Sequence, residues 1–268
     1  MVSLREGLML GDGGVISLVG AGGKTSLMFR LAHELARAGE SVLTTTTTKI
    51  YQPRPEQSKH LIVSGSLAEF LEAARQALKI HRHFTAAAAT IADQRKLRGY
   101  APEFIQAIWN SRLFRWIVVE ADGAAGRPLK APAEHEPVIP DCTSQVVGIV
   151  GLKGAGRPLN QQWVFRNQLF SQITGLASGA NMTEDAIIAV LVHDRGIFKN
   201  SPVRADKIVF CNQADDPRHL AAGRRIGRKL TREIKSGLKR VVVGQALFDP
   251  PVLDVYDLNV KTDYETQT

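Results

Sequence analysis

The chain has 268 residues, with 34 Lys and Arg against 26 Asp and Glu and a formal net charge of +8. Hydrophobic residues make up 44% and charged residues 22%, which excludes a disordered chain and leaves enough apolar surface for one large α/β core. No apolar run approaches the roughly 18–20 residues that span a bilayer, and Met1–Leu10 carries Arg5 and Glu6 where a secretory core would be apolar, so a cytoplasmic location is expected.

Val15–Val19 is a short apolar run and predicts the first strand. Gly20-Ala21-Gly22-Gly23-Lys24-Thr25-Ser26 follows, and then Leu27, Leu31 and Leu35 recur every four residues until Gly39, predicting a helix over Thr25–Ala38. A strand, a glycine-rich turn and Lys-Thr at a helix start form an anion cradle, because backbone N–H groups crowd the turn and the helix N-terminus adds donors and a favourable dipole. Gly20, Ala21, Gly22, Gly23, Lys24, Thr25 and Ser26 are therefore the candidate nucleotide-binding residues. Lys24 is placed to reach terminal phosphate oxygens and the Thr25 hydroxyl to ligate Mg²⁺. The usual first glycine position is occupied by Leu18. The loop starting at Gly20 is two residues shorter and resembles the Gly-x-x-Gly-Lys-Thr turn of Mur-type peptide ligases more than that of Ras-like GTPases.

Ser41–Leu43 continues into the threonine run Thr44–Thr48 and predicts the second strand. Threonine favours strands, yet these hydroxyls and Lys49 also emerge where open α/β sheets bind ligands. Leu61–Val63 leads to a helix over Leu67–Leu78. Residues 84–92 read equally as helix, from Ala86–Ala89, or as strand, from the flanking Phe84, Thr85, Thr90 and Ile91. Pro102 opens a helix to Asn110, and Trp116–Glu120 is a buried strand. Residues 123–140, with Pro128, Pro132, Pro137 and Pro140, fit neither period and read as a loop. Val146–Val150 is a strand, Thr183–Val192 a helix capped by Thr183, Lys207–Cys211 a strand, 217–236 a helix and Val241–Val243 a last strand. Alternating strands and helices predict a P-loop NTPase-like α/β fold, a mostly parallel sheet sandwiched by helices. The chain reads as a single domain, 1–268, with inserted loops at about 50–110 and 123–140.

Glu120 and Asp122 stand at i and i+2 after a buried strand, a spacing that sends both to one side of an extended chain. Together with Thr25 they are candidate Mg²⁺ ligands; a solvated turn is the alternative. Lys24 and Asp122 are the candidate catalytic pair. Asn212-Gln213-Ala214-Asp215 follows the late strand and resembles the Asn-Lys-x-Asp element that reads guanine, with Gln213 in place of the lysine. Asn212 and Asp215 are accordingly candidate base contacts, with GTP slightly favoured over ATP. Ile226, Leu230 and Ile234 form an apolar stripe among Arg224, Arg225, Arg228, Lys229, Arg232 and Lys235, an amphipathic helix with a solvated basic face and no aromatics to stack bases. Nucleic acid is thus not the expected partner. Cys142 and Cys211 are too far apart for a Cys-x-x-Cys site and read as buried small hydrophobes. Arg82 between His81 and His83 suggests a solvated segment.

The phosphate loop, Thr44–Thr48 with Lys49, Val119-Glu120-Ala121-Asp122-Gly123, Pro128-Leu129-Lys130-Ala131-Pro132 and His135-Glu136-Pro137, taken together, resemble the YqeC family. That family is described as accessory to selenium-dependent molybdenum hydroxylases. The likeness runs over roughly residues 10–245, with Gly151-Leu152, Arg157-Pro158-Leu159 and Arg166 among its later segments. Gln213 departs, because relatives tend to carry lysine there. The resemblance implies that Arg127 and Lys130 line the site. By their chemistry these cations either clamp a second anionic substrate, such as a cofactor precursor, or pair with Glu134 and Glu136. Thr46, Lys49, Arg127 and Lys130 are the candidate second-substrate residues. The function expected is a Mg²⁺-dependent NTPase assisting maturation of a molybdenum hydroxylase. The alternatives are a nucleotide-dependent ligase or transferase acting on a small anionic cofactor precursor, and a nucleotide-gated binding module.

Overall fold

A computed structural model describes residues 2–92, 94–233 and 237–258. The elements run α1 (Leu4–Gly7), β1 (Gly14–Gly20), α2 (Lys24–Arg37), β2 (Val42–Thr46), β3 (Lys49–Tyr51), β4 (Leu61–Val63), α3 (Leu67–Leu78), β5 (His83–Ala87), β6 (Ala89–Ile91), β7 (Lys96–Arg98), α4 (Pro102–Asn110) and β8 (Trp116–Glu120). They continue with β9 (Leu129–Lys130), β10 (Thr143–Gly151), β11 (Val164–Phe165), α5 (Asn167–Thr174), α6 (Glu184–Val192), β12 (Asp206–Asn212), α7 (Pro217–Glu233), β13 (Arg240–Gly244) and β14 (Val252–Asp257). Nine strands form one sheet in the order β14-β13-β12-β10-β1-β8-β2-β5-β4. Every ladder in it is parallel except β13–β14, which is antiparallel at the edge.

Alternate residues of each central strand face opposite helical layers, as the strand period requires. Ile16, Leu18, Val118, Val147, Ile149 and Phe210 pack beneath α1 and α2 through Leu4, Leu8, Leu27, Met28 and Leu31. On the other face, Val15, Leu43, Phe84, Ile117 and Val119 meet α3 and α4, while Val19, Val146, Val209, Cys211, Val241 and Val243 meet α5, α6 and α7. Strands buried on both faces read as continuous apolar runs, which is why β1, β8 and β12 stand out in the sequence. The fold is the expected α/β sandwich around a mostly parallel sheet.

The ambiguous residues 84–92 are strand, not helix: β5 sits between β2 and β4, and its Phe84 and Ala86 are fully buried. Residues 50–110 supply β4, α3 and β5 to the main architecture. They also supply β6 and β7, which join β3 in a small antiparallel sheet. Within 123–140, β9 pairs with β11. His83 corrects the solvated reading of its segment. It is buried at the start of β5, bonded to the Thr44 hydroxyl at 3.0 Å, and burial, with His33 nearby, pulls its pKa down to about 3. Cys211 is buried and Cys142 half-buried, and both are free thiols. Helix α7 buries Ile226 and Leu230, whereas Ile234 and Lys235 lie outside the described residues. No helix among the described residues is long and apolar enough to cross a membrane.

Candidate functional site

β1 is central, between β8 and β10, so the turn after it opens at the carboxyl edge of the sheet beside the ends of β8, β12 and β13. Ligands of open α/β sheets bind at this edge. The turn is tightly bound to its neighbours. The Gly20 amide donates to Asp122 Oδ2 at 2.9 Å, Ala21 to the Ile149 carbonyl at 2.9 Å and Gly22 to the Arg127 carbonyl at 3.1 Å. Gly22 has φ +89°, and a Cβ there would stand 2.3 Å from Gly151 Cα. Gly23, at φ +115°, would set a Cβ 2.3 Å from Asn212 Nδ2. Only glycine fits either place. Gly23 is also the N-cap of α2 and supplies no side-chain hydrogen bond. The first-turn amides of α2 are therefore uncapped at the mouth of a cleft of about 750 Å³ lined by Gly22, Gly23, Lys24, Thr25 and Ser26.

Lys24 is buried, 3.0 Å from Asp122 Oδ1, and donates to the Gly20 carbonyl at 2.6 Å. Burial alone would lower its pKa, but Asp122 and Glu120 outweigh that and raise it, keeping the ammonium charged. Glu120 ends β8 at the cleft wall and accepts from the Thr25 hydroxyl at 2.7 Å. Burial raises its pKa against the opposing pull of Lys24. Asp122 occupies different ground from Glu120: it is fully buried behind the loop and takes Lys130 Nζ at 2.9 Å as well as Lys24. Lys130 is buried too and continues to Glu136 at 2.7 Å, which Arg166 grips with both terminal guanidinium nitrogens. Burial would raise the Glu136 pKa, but Arg166 and Lys130 hold it down at about 2. The result is a buried ion chain, Lys24–Asp122–Lys130–Glu136–Arg166. Of the two roles open to Lys130, the one it occupies here is pairing with Glu136.

The threonine run acts as a staple. Thr44 bonds the Thr85 hydroxyl at 2.8 Å, Thr45 donates to the Ala86 carbonyl at 2.8 Å, Thr46 to the Glu120 carbonyl at 2.7 Å and Thr47 to the Val138 carbonyl at 2.7 Å. Thr46 thus holds β8 in place rather than lining the cleft. Lys49 and Arg127 do line it, and Arg127 donates to the Gln161 carbonyl at 2.7 Å.

Asn212, the last residue of β12, joins two loops. Its Nδ2 donates to the Gly22 carbonyl at 2.7 Å and its Oδ1 accepts from the Ala246 amide at 2.9 Å. Beside it lies a small cavity of about 70 Å³ lined by Ser26, Lys153, Gln213, Asp215, Leu247 and Phe248. Asp215 is paired with Lys153 at 2.9 Å. Gln213 has φ +67° and points a buried Oε1, without a hydrogen-bond partner, toward Gly151. Sequence reasoning missed Lys153 and Ala246, because neither carries a motif of its own and both arrive from distant loops. Among the described residues no group of three or more His, Cys, Asp or Glu could hold a metal ion by itself.

The model of the YqeC protein family matches residues 16–168, which include the Gly20–Thr25 turn, Glu120, Asp122, Lys130 and Glu136. The chain belongs to the YqeC family. A protein of Escherichia coli (strain K12), described as uncharacterized protein YqeC, is 35% identical over 205 residues, 74% of this chain and 75% of that one. Among solved structures, FtsY from Mycoplasma mycoides aligns at TM-score 0.38 and 12% identity, covering 92% of this chain and 66% of its own. The signal recognition particle 54 kDa protein from Aeropyrum pernix K1, in complex with GDP, aligns at TM-score 0.36 and 13% identity, covering 88% of this chain and 42% of its own. The chain thus spans less than two thirds of either of those proteins.

Proposed function

We propose that this YqeC-family chain is a Mg²⁺-dependent P-loop nucleotide-binding protein that hydrolyses nucleoside triphosphates, GTP somewhat ahead of ATP. The observation that carries the reading is one juxtaposition: the uncapped α2 N-terminus, the charged Lys24 and the Thr25–Glu120 pair share one cleft. Phosphates would rest on the amides of residues 23–26, with Lys24 meeting the charge that develops on the γ-phosphoryl group. Thr25 and Glu120, 2.7 Å apart on the cleft wall, offer hard oxygen donors of the kind Mg²⁺ takes together with phosphates and waters. Bound there, Mg²⁺ would supply charge neutralisation. Asp122 acts through Lys24, fixing the ammonium at the loop. Guanine recognition would fall to Asp215, with Lys153 displaced from it, while Asn212 ties the base loop to the phosphate loop.

The motif resemblance set out above implies a place in maturation of a selenium-dependent molybdenum hydroxylase, and we propose that role in the cytoplasm, with that enzyme or its cofactor precursor as partner. A second reading, a ligase or transferase acting on a small anion, is favoured by Lys49 and Arg127 at the cleft. Phosphate release from GTP, ATP and CTP, with and without Mg²⁺, tests the proposal. Release should require Mg²⁺ and be fastest with GTP. Binding without turnover would leave a nucleotide-gated module, and no binding of any nucleotide would overturn the reading.

A further inference from the structure

One wall of the cleft is not used by the hydrolysis proposed above. It is built by the small antiparallel sheet, from Lys49 and Tyr51 of β3 and Lys96 of β7. Lys49 and Tyr51 lie on the exposed face of β3, while Ile50 between them is buried. Lys96 stands opposite Tyr51 in the β3–β7 ladder and holds its ammonium 5.0 Å from the Tyr51 ring centroid. Tyr51 is nevertheless 69% exposed. Arg127 adds a further cation from the 123–127 loop. Among the described residues no carboxylate forms an ion pair with Lys49, Lys96 or Arg127; with Lys24 offset by Asp122, these three cations outnumber Glu120, the carboxylate that lines the same cleft.

We propose that Lys49, Tyr51 and Lys96, with Arg127, form a subsite for a small planar anion that binds beside the terminal phosphate of the nucleotide. The inference rests on the nucleotide reading and names the chemical class of a second ligand. Three cations select negative charge. An exposed aromatic ring flanked by one of them selects a flat π-surface, because stacking on the ring adds to the charge contact. A purely inorganic anion would make no use of Tyr51, and a neutral apolar ligand would strand the cations. The cavity, at about 750 Å³, lies within the usual range for small-ligand sites.

Calorimetric titration of 1-naphthyl phosphate and of inorganic phosphate into the full chain, saturated with Mg²⁺ and a non-hydrolysable nucleotide, tests the subsite. The nucleotide blocks the phosphate loop, so the titrated anion reports on the remaining wall. 1-Naphthyl phosphate should bind roughly tenfold or more tightly than inorganic phosphate, the scale of one aromatic stack. Tyr51→Ala should erase that difference, Tyr51→Phe should keep it, and Lys49→Ala with Lys96→Ala should weaken both anions. Thermal melting checks that each variant is folded. Equal affinities in the unmodified chain, or a preference that survives Tyr51→Ala in a folded variant, would overturn the subsite while leaving nucleotide binding intact. A chain that fails to bind the nucleotide in the first place removes the underlying reading and the subsite with it.

Discussion

Lys24 shares its acid with a second buried cation, and this decides how its removal reads out. In Lys24→Ala, Asp122 keeps Lys130 and the Gly20 amide but loses a charge within 3.0 Å. We expect a stability loss of about 1–3 kcal/mol alongside the loss of nucleotide affinity. Thr25→Ala is the gentler probe, because it removes one hydrogen bond to Glu120 and breaks no ion pair. Its melting temperature should stay close to the parent value while Mg²⁺-dependent nucleotide binding collapses, both readable by calorimetry. Glu136 gives a pH signature. Its folded pKa lies below its ordinary 4.5, at about 2. The stabilisation is therefore complete above about pH 4.5 and is lost as pH falls through 2, about 3 kcal/mol in all. Urea midpoints measured across that window should fall steeply for the parent chain and more gently for Glu136→Gln; parallel curves would mean the ion chain contributes nothing. At this scale Lys24, Thr25 and Glu120 are legible, since each sits at a motif position. The Lys24–Asp122–Lys130–Glu136–Arg166 chain is not, because Arg166 meets Glu136 across 30 residues of sequence and no spacing rule reaches that far.

Among the elements, Asn212 at the end of β12 has the broadest reach, holding the Gly20–Thr25 turn on one side and the loop after β13 on the other. Asn212→Ala leaves the Gly22 carbonyl and the Ala246 amide without partners, which should cost about 1–3 kcal/mol and weaken nucleotide binding by loosening both loops. Unchanged melting and unchanged affinity would show that the tie is idle. Elements with a full period were readable from sequence: α3 spans the twelve residues Leu67–Leu78, α4 begins at Pro102, and β8 is a five-residue buried run. The strands β3, β6, β7, β9 and β11 have two or three residues each. A period of two needs more residues than that to be seen, so the small sheet that walls the cleft was hidden. The threonine run was legible as a strand, while its role as a staple depends on β5 and β8 lying on either side of β2.

On the scale of the whole molecule, the strand order makes the site. Glu120 faces Thr25 because β8 lies next to β1, although 95 residues separate the two side chains. An alternating pattern predicts a parallel sheet but leaves that order open. The net charge of +8 does not concentrate in an open basic face on α7, where Arg224, Arg225 and Lys229 pair with Asp254, Glu184 and Asp185. Mixed-sequence RNA should therefore bind weakly and lose affinity steeply with salt. Tight binding at physiological salt that disappears on replacing Arg225, Arg228 and Arg232 would reverse this. The central claim is a phosphate site at the α2 N-terminus that Thr25 and Glu120 make Mg²⁺-dependent. Its most direct test is calorimetric titration of a non-hydrolysable GTP analogue into the parent chain and Thr25→Ala, each with and without Mg²⁺. The account predicts saturable one-site binding to the parent that tightens with Mg²⁺, and a Thr25→Ala variant in which the Mg²⁺ effect is gone. Binding indifferent to both Mg²⁺ and Thr25, or absent from the parent, would contradict it.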